Sequence, residues 1–278
     1  MTQPSWDLTQ GDTPIVAVAL HDGHYIREEV TPYLAVSEAD RWREEDPFTA
    51  AWVGFAGTQI VVKRSRFEFD LNRPRSKAVY IKPEDAWGLK VWKTPPPKEI
   101  IARTLADYDR FYTTLEQVFT NLERRFGHFV VFELHTYNHR RLGDTALPAD
   151  PMYNPEINLG TGTLERDRWT PVIENFLTDL RNFDFLGRKL DVRENIKFRG
   201  GYFPYWVHQK FPHSACVLSI EVKKFFMDEW TTQPDLEQLE RIGRAFKSTV
   251  PGILDALQCS HLSNVSRKDK DTLMILQH

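Results

Sequence analysis

Apolar and polar positions along the chain repeat with two periods. Residues 15–20, IVAVAL, form an unbroken apolar run with β-branched members, bounded by Pro14 and Gly23, the pattern of a central strand covered on both faces. Residues 59–63 and 67–71 predict further strands, the second ending at Asn72-Arg73-Pro74. Pro95-Pro96-Pro97 is a rigid break that fits inside neither regular element. Over residues 98–125 apolar positions then recur at three- and four-residue steps, which predicts a long amphipathic helix stopped by Gly127. The next buried strand, HFVVFEL over residues 128–134, delivers His135 at its carboxyl end.

The second half continues the alternation. Residues 140–155 read as loop, 155–159 as a short strand before the turn Gly160-Thr-Gly-Thr163, and 169–186 as a helix. A strand over 189–192, a break at Gly200-Gly201 and Pro204, and a strand over 215–222 follow, with a last helix over 236–257 interrupted near Pro251. Strand, helix and strand in this order form right-handed parallel crossovers. With no repeat and no linker of shifted composition, residues 1–278 are expected to form a single α/β domain around a central mixed, largely parallel sheet flanked by helices.

Composition narrows the partners. Of the 278 residues, 36 are basic and 39 acidic, and the two signs alternate along the chain, which argues against a nucleic-acid or membrane surface. Two cysteines, Cys216 and Cys259, make no framework and no CxxC pair, so any metal must be held by histidine and carboxylate. The first residues lack a basic segment followed by an apolar run, and no stretch approaches a membrane span. The expectation is a cytoplasmic protein acting on a small molecule.

In an open α/β sheet ligands bind beyond the carboxyl ends of the strands. His21 and His24 follow one predicted strand, Asp70 to Arg73 close another, His135 follows a third and Glu221 lies late in a fourth. A hydrolytic zinc takes three protein ligands, and His21, His24 and His135 meet that description. Solvated turn histidines are the plainer alternative. Alternation puts Val217, Ser219 and Glu221 on one side of their strand, and a carboxylate so deep in apolar sequence suits a general base, or else a pair with Lys223. Arg66, Asn72, Arg73 and Arg75 surround a predicted strand end, where arginine forks suit a substrate carboxylate or simply face solvent. The turn at 160–163 could cradle an anion but lacks the lysine of a phosphate loop. His208 is a candidate contact near the site, and His213 reads as structural.

His21-Asp-Gly-His24, Asp70-Leu-Asn-Arg73, Glu133-Leu-His135 and Ser219-Ile-Glu221 stand as a set that resembles the N-formylglutamate amidohydrolase family, related to the zinc carboxypeptidase and aspartoacylase group. SRFEFDLNRPRSKAVY, FGHFVVFELHTYN, INLGTGT and NIKFRGGYFPYWVHQKFP support it, from about residue 15 to about residue 230. The resemblance implies a hydrolase-like, zinc carboxypeptidase-like fold and one zinc ion that activates water to cleave a small N-acyl group, such as formyl, from an amino acid. His21 and His135 would be ligands, Glu221 the catalytic general base and acid, and Asn72 and Arg73 the carboxylate clamp, with Arg66 assisting; His208 stands beside them as a substrate-binding candidate read from its own loop. His24 stands where the related carboxypeptidases carry glutamate, so the second ligand is His24 or, one turn on, Glu28 or Glu29. A peptide hydrolase of carboxypeptidase or γ-glutamyl type on the same zinc, and a carboxylate binder without turnover, are the alternatives.

Overall fold

The computed structural model describes residues 4–275, with side chains described as far as residue 258. In chain order the elements are β1 (Trp6–Thr9), β2 (Ile15–Ala19), α1 (Glu38–Glu44), β3 (Thr58–Val62), α2 (Lys98–Phe126), β4 (Phe129–Tyr137), β5 (Ile157–Gly160), α3 (Thr170–Asn182), β6 (Val192–Glu194), α4 (Tyr202–Lys210), β7 (Ala215–Lys223) and α5 (Leu236–Ile275). The strands form one mixed sheet in the order β1-β3-β2-β4-β7-β5-β6. Only β1 against β3 and β5 against β7 run antiparallel. This is the α/β architecture with a mixed, largely parallel sheet that the patterning predicts.

Both faces of the sheet are covered, which is why the central strands are apolar along most of their length. Ala17, Phe132 and Leu218 pack on α3 and α5, through Phe176 and Phe246 among others. Val18, Val131 and Val217 face α2 and α4, through Phe111, Phe119 and Val207. From β2 the chain first adds β3 on one side and later β4 on the other. The crevice at the carboxyl ends of β2 and β4 is therefore a switch point, where such sheets bind ligands.

Several elements differ from expectation. Residues 67–71 are no strand: Glu68 and Phe69 donate backbone hydrogen bonds to Ser65 O, and Arg73 donates to Asp70 O, making turns. All of Phe67, Glu68, Phe69, Asp70 and Leu71 are buried, so their alternation reflects apolar residues entering two different clusters while the acids are ion-paired. Gly200-Gly201 ends a loop, but Pro204 lies in the first turn of α4, where a missing N–H costs nothing. α5 runs uninterrupted through Pro251. Ile242 and Phe246 before it and Ile253 and Leu257 after it are anchored in one core, which outweighs the lost backbone bond. β1 and α1 are short elements the patterning missed. Cys216 is a buried thiol, and the side chain of Cys259 lies outside the described residues.

His208 knits α4 to the sheet. Its Nε2 accepts from the N–H of Val217 at 3.1 Å, which leaves Nδ1 to donate to Thr163 Oγ1 at 3.0 Å. Burial pushes its pKa down to about 4. An unfolded imidazole titrates near about 6.5. Because the folded value is the lower one, stability is full above the unfolded value and falls as pH drops from there toward the folded value, by up to about 3 kcal/mol. Urea unfolding of the wild type and of His208→Gln at pH 7.5 and pH 4.5 checks this: the variant is expected to lose less stability on acidification.

Candidate metal and hydrolytic site

The turn that follows β2 distributes its four residues to different tasks. His21 is buried at the strand end. Asp22 turns back to accept from the N–H of Ala50 at 2.9 Å, holding the 3-10 turns of Thr49–Phe55. Gly23 runs against the end of β3, where an added Cβ would lie 2.7 Å from Arg64 N. His24 points away from His21. Its Nδ1 pairs with Glu45, its Nε2 receives Arg41 at 3.0 Å, and its ring stacks on Trp42 at 4.2 Å between centroids.

The third member beside His21 and His135 is Asp46, which follows α1. Its N–H donates to His21 O at 2.9 Å, and Lys224 Nζ donates to Glu45 O at 2.8 Å from the other side. Asp46 Oδ2 lies 3.2 Å from His21 Nδ1 and 2.9 Å from His135 Nδ1, and Oδ1 accepts from Thr136 Oγ1 at 3.0 Å. One donor atom from each of His21, Asp46 and His135 falls within 4.8 Å of the others, the one such convergence among the described residues.

Each imidazole is backed by a carboxylate on its far nitrogen. Asp70 Oδ1 sits 2.7 Å from His21 Nε2, and Glu133 Oε1 sits 3.0 Å from His135 Nε2 without hydrogen-bond alignment. Two imidazoles and one carboxylate, with an outer carboxylate behind each ring, make a donor set and orienting shell that could hold a metal ion. Burial opposes charge on Asp46, but the hydrogen bonds to His135 and His21 hold its carboxyl well below the usual range. Burial also disfavours a charged His135, yet the Glu133 carboxylate and the bond to Asp46 raise it well above an ordinary imidazole.

Glu221 is paired in register with His135, β7 against β4. Along each strand the face that carries Val131 or Val217 turns polar toward the carboxyl end, as Glu133 and His135 on β4 and as Ser219 and Glu221 on β7. Ser219 Oγ donates to Glu133 Oε2 at 2.6 Å, while Glu221 opens onto a cavity. Burial pushes its carboxyl up to about 8.

That cavity, of about 120 Å³, is lined by His21, Asp46, Arg66, Asn72, His135 and Glu221 together with Trp87 and Phe198. Arg66 donates to Asp70 Oδ2 at 2.9 Å and to Glu44 O at 3.2 Å. Asn72 Oδ1 accepts from the N–H of Phe203 at 2.8 Å, and its Nδ2 lies 3.4 Å from His135 Nε2. Arg73, 43 % exposed in its side chain, lines an adjoining cavity of about 380 Å³. A larger cavity near Arg27, Arg64, Arg103 and Arg110 holds no histidine, and those arginines are paired to Glu29, Glu68 and Asp107.

The structure thus brings His21, His135, Glu221, Arg66 and Asn72 together, with Arg73 next to them. His24 and His208 line neither cavity, because Glu45 and Trp42 hold the first and Thr163 and Val217 the second. Glu28 and Glu29 are exposed. Asp46 was missed. The signal for it was the run Glu44-Glu45-Asp46 before Pro47, three acids in an otherwise mixed segment, all of which turn out to be buried.

A family model described as N-formylglutamate amidohydrolase matches residues 13–227. An N-formylglutamate amidohydrolase from Ralstonia eutropha JMP134 superposes with a TM-score of 0.68 at 17 % identity, over 91 % of this chain and 97 % of that one. A gene product of Agrobacterium tumefaciens superposes with a TM-score of 0.64 at 15 % identity, over 91 % of this chain and 96 % of that one. At such identities these likenesses are of fold. No curated protein matches the sequence. The family match spans the strands that carry His21, His135 and Glu221 and the segment that carries Asp46, and on that ground the chain belongs to the N-formylglutamate amidohydrolase family, a family of amide hydrolases.

Proposed function

We propose that the protein is a zinc-dependent hydrolase that removes a formyl or similarly small acyl group from the nitrogen of an amino acid, N-formyl-glutamate being the substrate the family points to. The observation that carries this reading is the convergence of His21 Nδ1, His135 Nδ1 and the Asp46 carboxylate in the cavity that Glu221 also lines. His21, Asp46 and His135 would hold one ion, with Asp46 in the place expected of His24. When bound, zinc supplies a concentrated positive charge that polarises a carbonyl and favours ionisation of water.

The remaining roles belong to the chain itself. Glu221, in register with His135 and facing the same cavity, is placed to take the proton of an attacking water and to return it to the leaving nitrogen. Arg66 stays charged beside Asp70 and faces the same cavity, where it opposes negative charge developing on the carbonyl oxygen. Asn72 and Arg73 offer N–H donors to the α-carboxylate and so place the amide at Glu221. The cavity of about 120 Å³ favours a very small acyl group. No helix among the described residues is long and apolar enough to cross a membrane, in keeping with a small polar substrate met in solution.

Metal analysis of protein purified from zinc-supplemented cells is expected to find about one zinc per chain. Asp46→Asn and His135→Ala should lose it, whereas His24→Ala should retain it. Asp70→Asn, which removes the carboxylate behind His21, should weaken zinc binding roughly 10- to 100-fold. Metal-free wild-type protein would refute the zinc assignment. For the chemistry, Glu221→Gln should keep its zinc while formate release from N-formyl-glutamate drops roughly 10²- to 10⁴-fold. Unchanged turnover in that variant would remove Glu221 from the reaction.

A further inference from the structure

The cavity of about 380 Å³ that adjoins the metal cleft shares Arg66, Asn72, Trp87, Phe198 and Glu221 with it, and adds Arg73 and Arg199. Its charges are unequally committed. Asp70 is engaged by Arg66 at 2.9 Å and by His21 at 2.7 Å, while Arg73 Nε stays 3.9 Å from it, beyond hydrogen-bond distance. Among the described residues the Arg199 guanidinium has no hydrogen bond or ion pair. Arg75, Arg103, Arg125, Arg168 and Arg244, also on the surface, each have an acidic partner. Among the described residues the cavity thus retains one guanidinium, that of Arg199, with no acidic partner, beside Arg73, whose pairing with Asp70 is long.

The segment bearing Arg199 is held from beneath. Asn158, fully buried on β5 and paired in register with Glu221, accepts the N–H of Lys197 at 2.8 Å and donates to Phe198 O at 2.9 Å. The N–H of Gly162 donates to Arg199 O at 2.8 Å. A Cβ at Gly160 would lie 2.8 Å from the carbonyl carbon of Arg199, and one at Gly162 2.9 Å from its Cβ, so side chains there would push the arginine away. The turn Gly160-Thr-Gly-Thr163 therefore cradles the backbone of Arg199 and not an anion. One strand positions Arg199 and borders Glu221 as well.

We propose that Arg199 determines specificity: its guanidinium takes a second carboxylate, on the side chain of the amino acid whose α-carboxylate lies at Asn72 and Arg73. This rests on the reading of the site given above. It selects dicarboxylic substrates over neutral ones, since a planar guanidinium matches a carboxylate in two parallel hydrogen bonds and a neutral amide only poorly.

The test has a binding arm and a turnover arm, both on the zinc-loaded full chain. By titration calorimetry, Arg199→Ala should bind glutarate roughly 10- to 100-fold more weakly than wild type. Pentanoate, of the same length with one carboxylate, should bind both alike, and Arg199→Lys should recover part of the glutarate affinity. In turnover, Arg199→Ala should raise KM for N-formyl-glutamate by a similar factor with kcat little changed, leaving N-formyl-glutamine unaffected. Equal glutarate affinity in wild type and Arg199→Ala, or equal loss of glutarate and pentanoate, would overturn the assignment. If neither formyl compound is cleaved while glutarate binding still depends on Arg199, the deformylase reading fails and the subsite stands.

Discussion

The structure depends on the burial of carboxylates at the carboxyl end of its central strands. A lone ionised carboxylate taken out of water costs several kcal/mol. This protein buries Asp46, Asp70 and Glu133 around two imidazoles and sets Glu221 beside them. Each of the first three is met differently. Asp70 has Arg66, Tyr80 and His21; Glu133 has Ser219 and His135; Asp46 has both imidazoles and Thr136. Glu221 has no comparable set, and its raised proton affinity records that difference. A cluster of this kind is poor economy for stability alone, because a hydrophobic core of the same volume would serve as well or better. The proposed cation between the imidazoles, with a proton acceptor next to it, would account for its arrangement.

Holding that cluster explains features remote from it. Asp46 leaves no regular element in a position to orient it, since α1 ends two residues earlier. Its place is set instead by Lys224, which reaches from the end of β7 to the carbonyl of Glu45, and by its own N–H on His21 O. His24 belongs to the same support: through Glu45 and Trp42 it fixes the residue next to Asp46. Asn72 likewise serves two parts, since the amide that faces His135 also receives the N–H of Phe203 in the first turn of α4. Scaffold and site share atoms here, so a loss at either will be felt at the other.

Legibility from sequence followed the physics of each signal. The central strands and α2 were readable because burial on both faces, or on one stripe, writes a period into the residues. His21, His135 and Glu221 were readable because strand ends in an α/β sheet point to one rim. Phe67–Leu71 misled because buried turns with ion-paired acids copy the alternation of a strand. Asp46 was hidden for a related reason. An acidic run at a helix end reads as solvated, and only the tertiary fold reveals that Lys224, His21 and His135 surround it. His24 was the converse error: local spacing suggested two ligands on one turn, but Gly23 bends the chain along β3 and carries His24 to the other side.

β5 ties these observations together. It lies antiparallel to β7 and shares a register position with Glu221 through Asn158, and the turn after it supports Arg199. The strand that pairs with Glu221 therefore also leads into the turn that supports Arg199. A loop alone would hold a charged side chain over a broad range of positions. Anchored by a buried asparagine and two glycines, the segment fixes the backbone of Arg199 while its side chain stays exposed. In the proposed reaction, rigid backbone below and a solvated charge above would let one site place an amide accurately while still admitting a polar substrate from water.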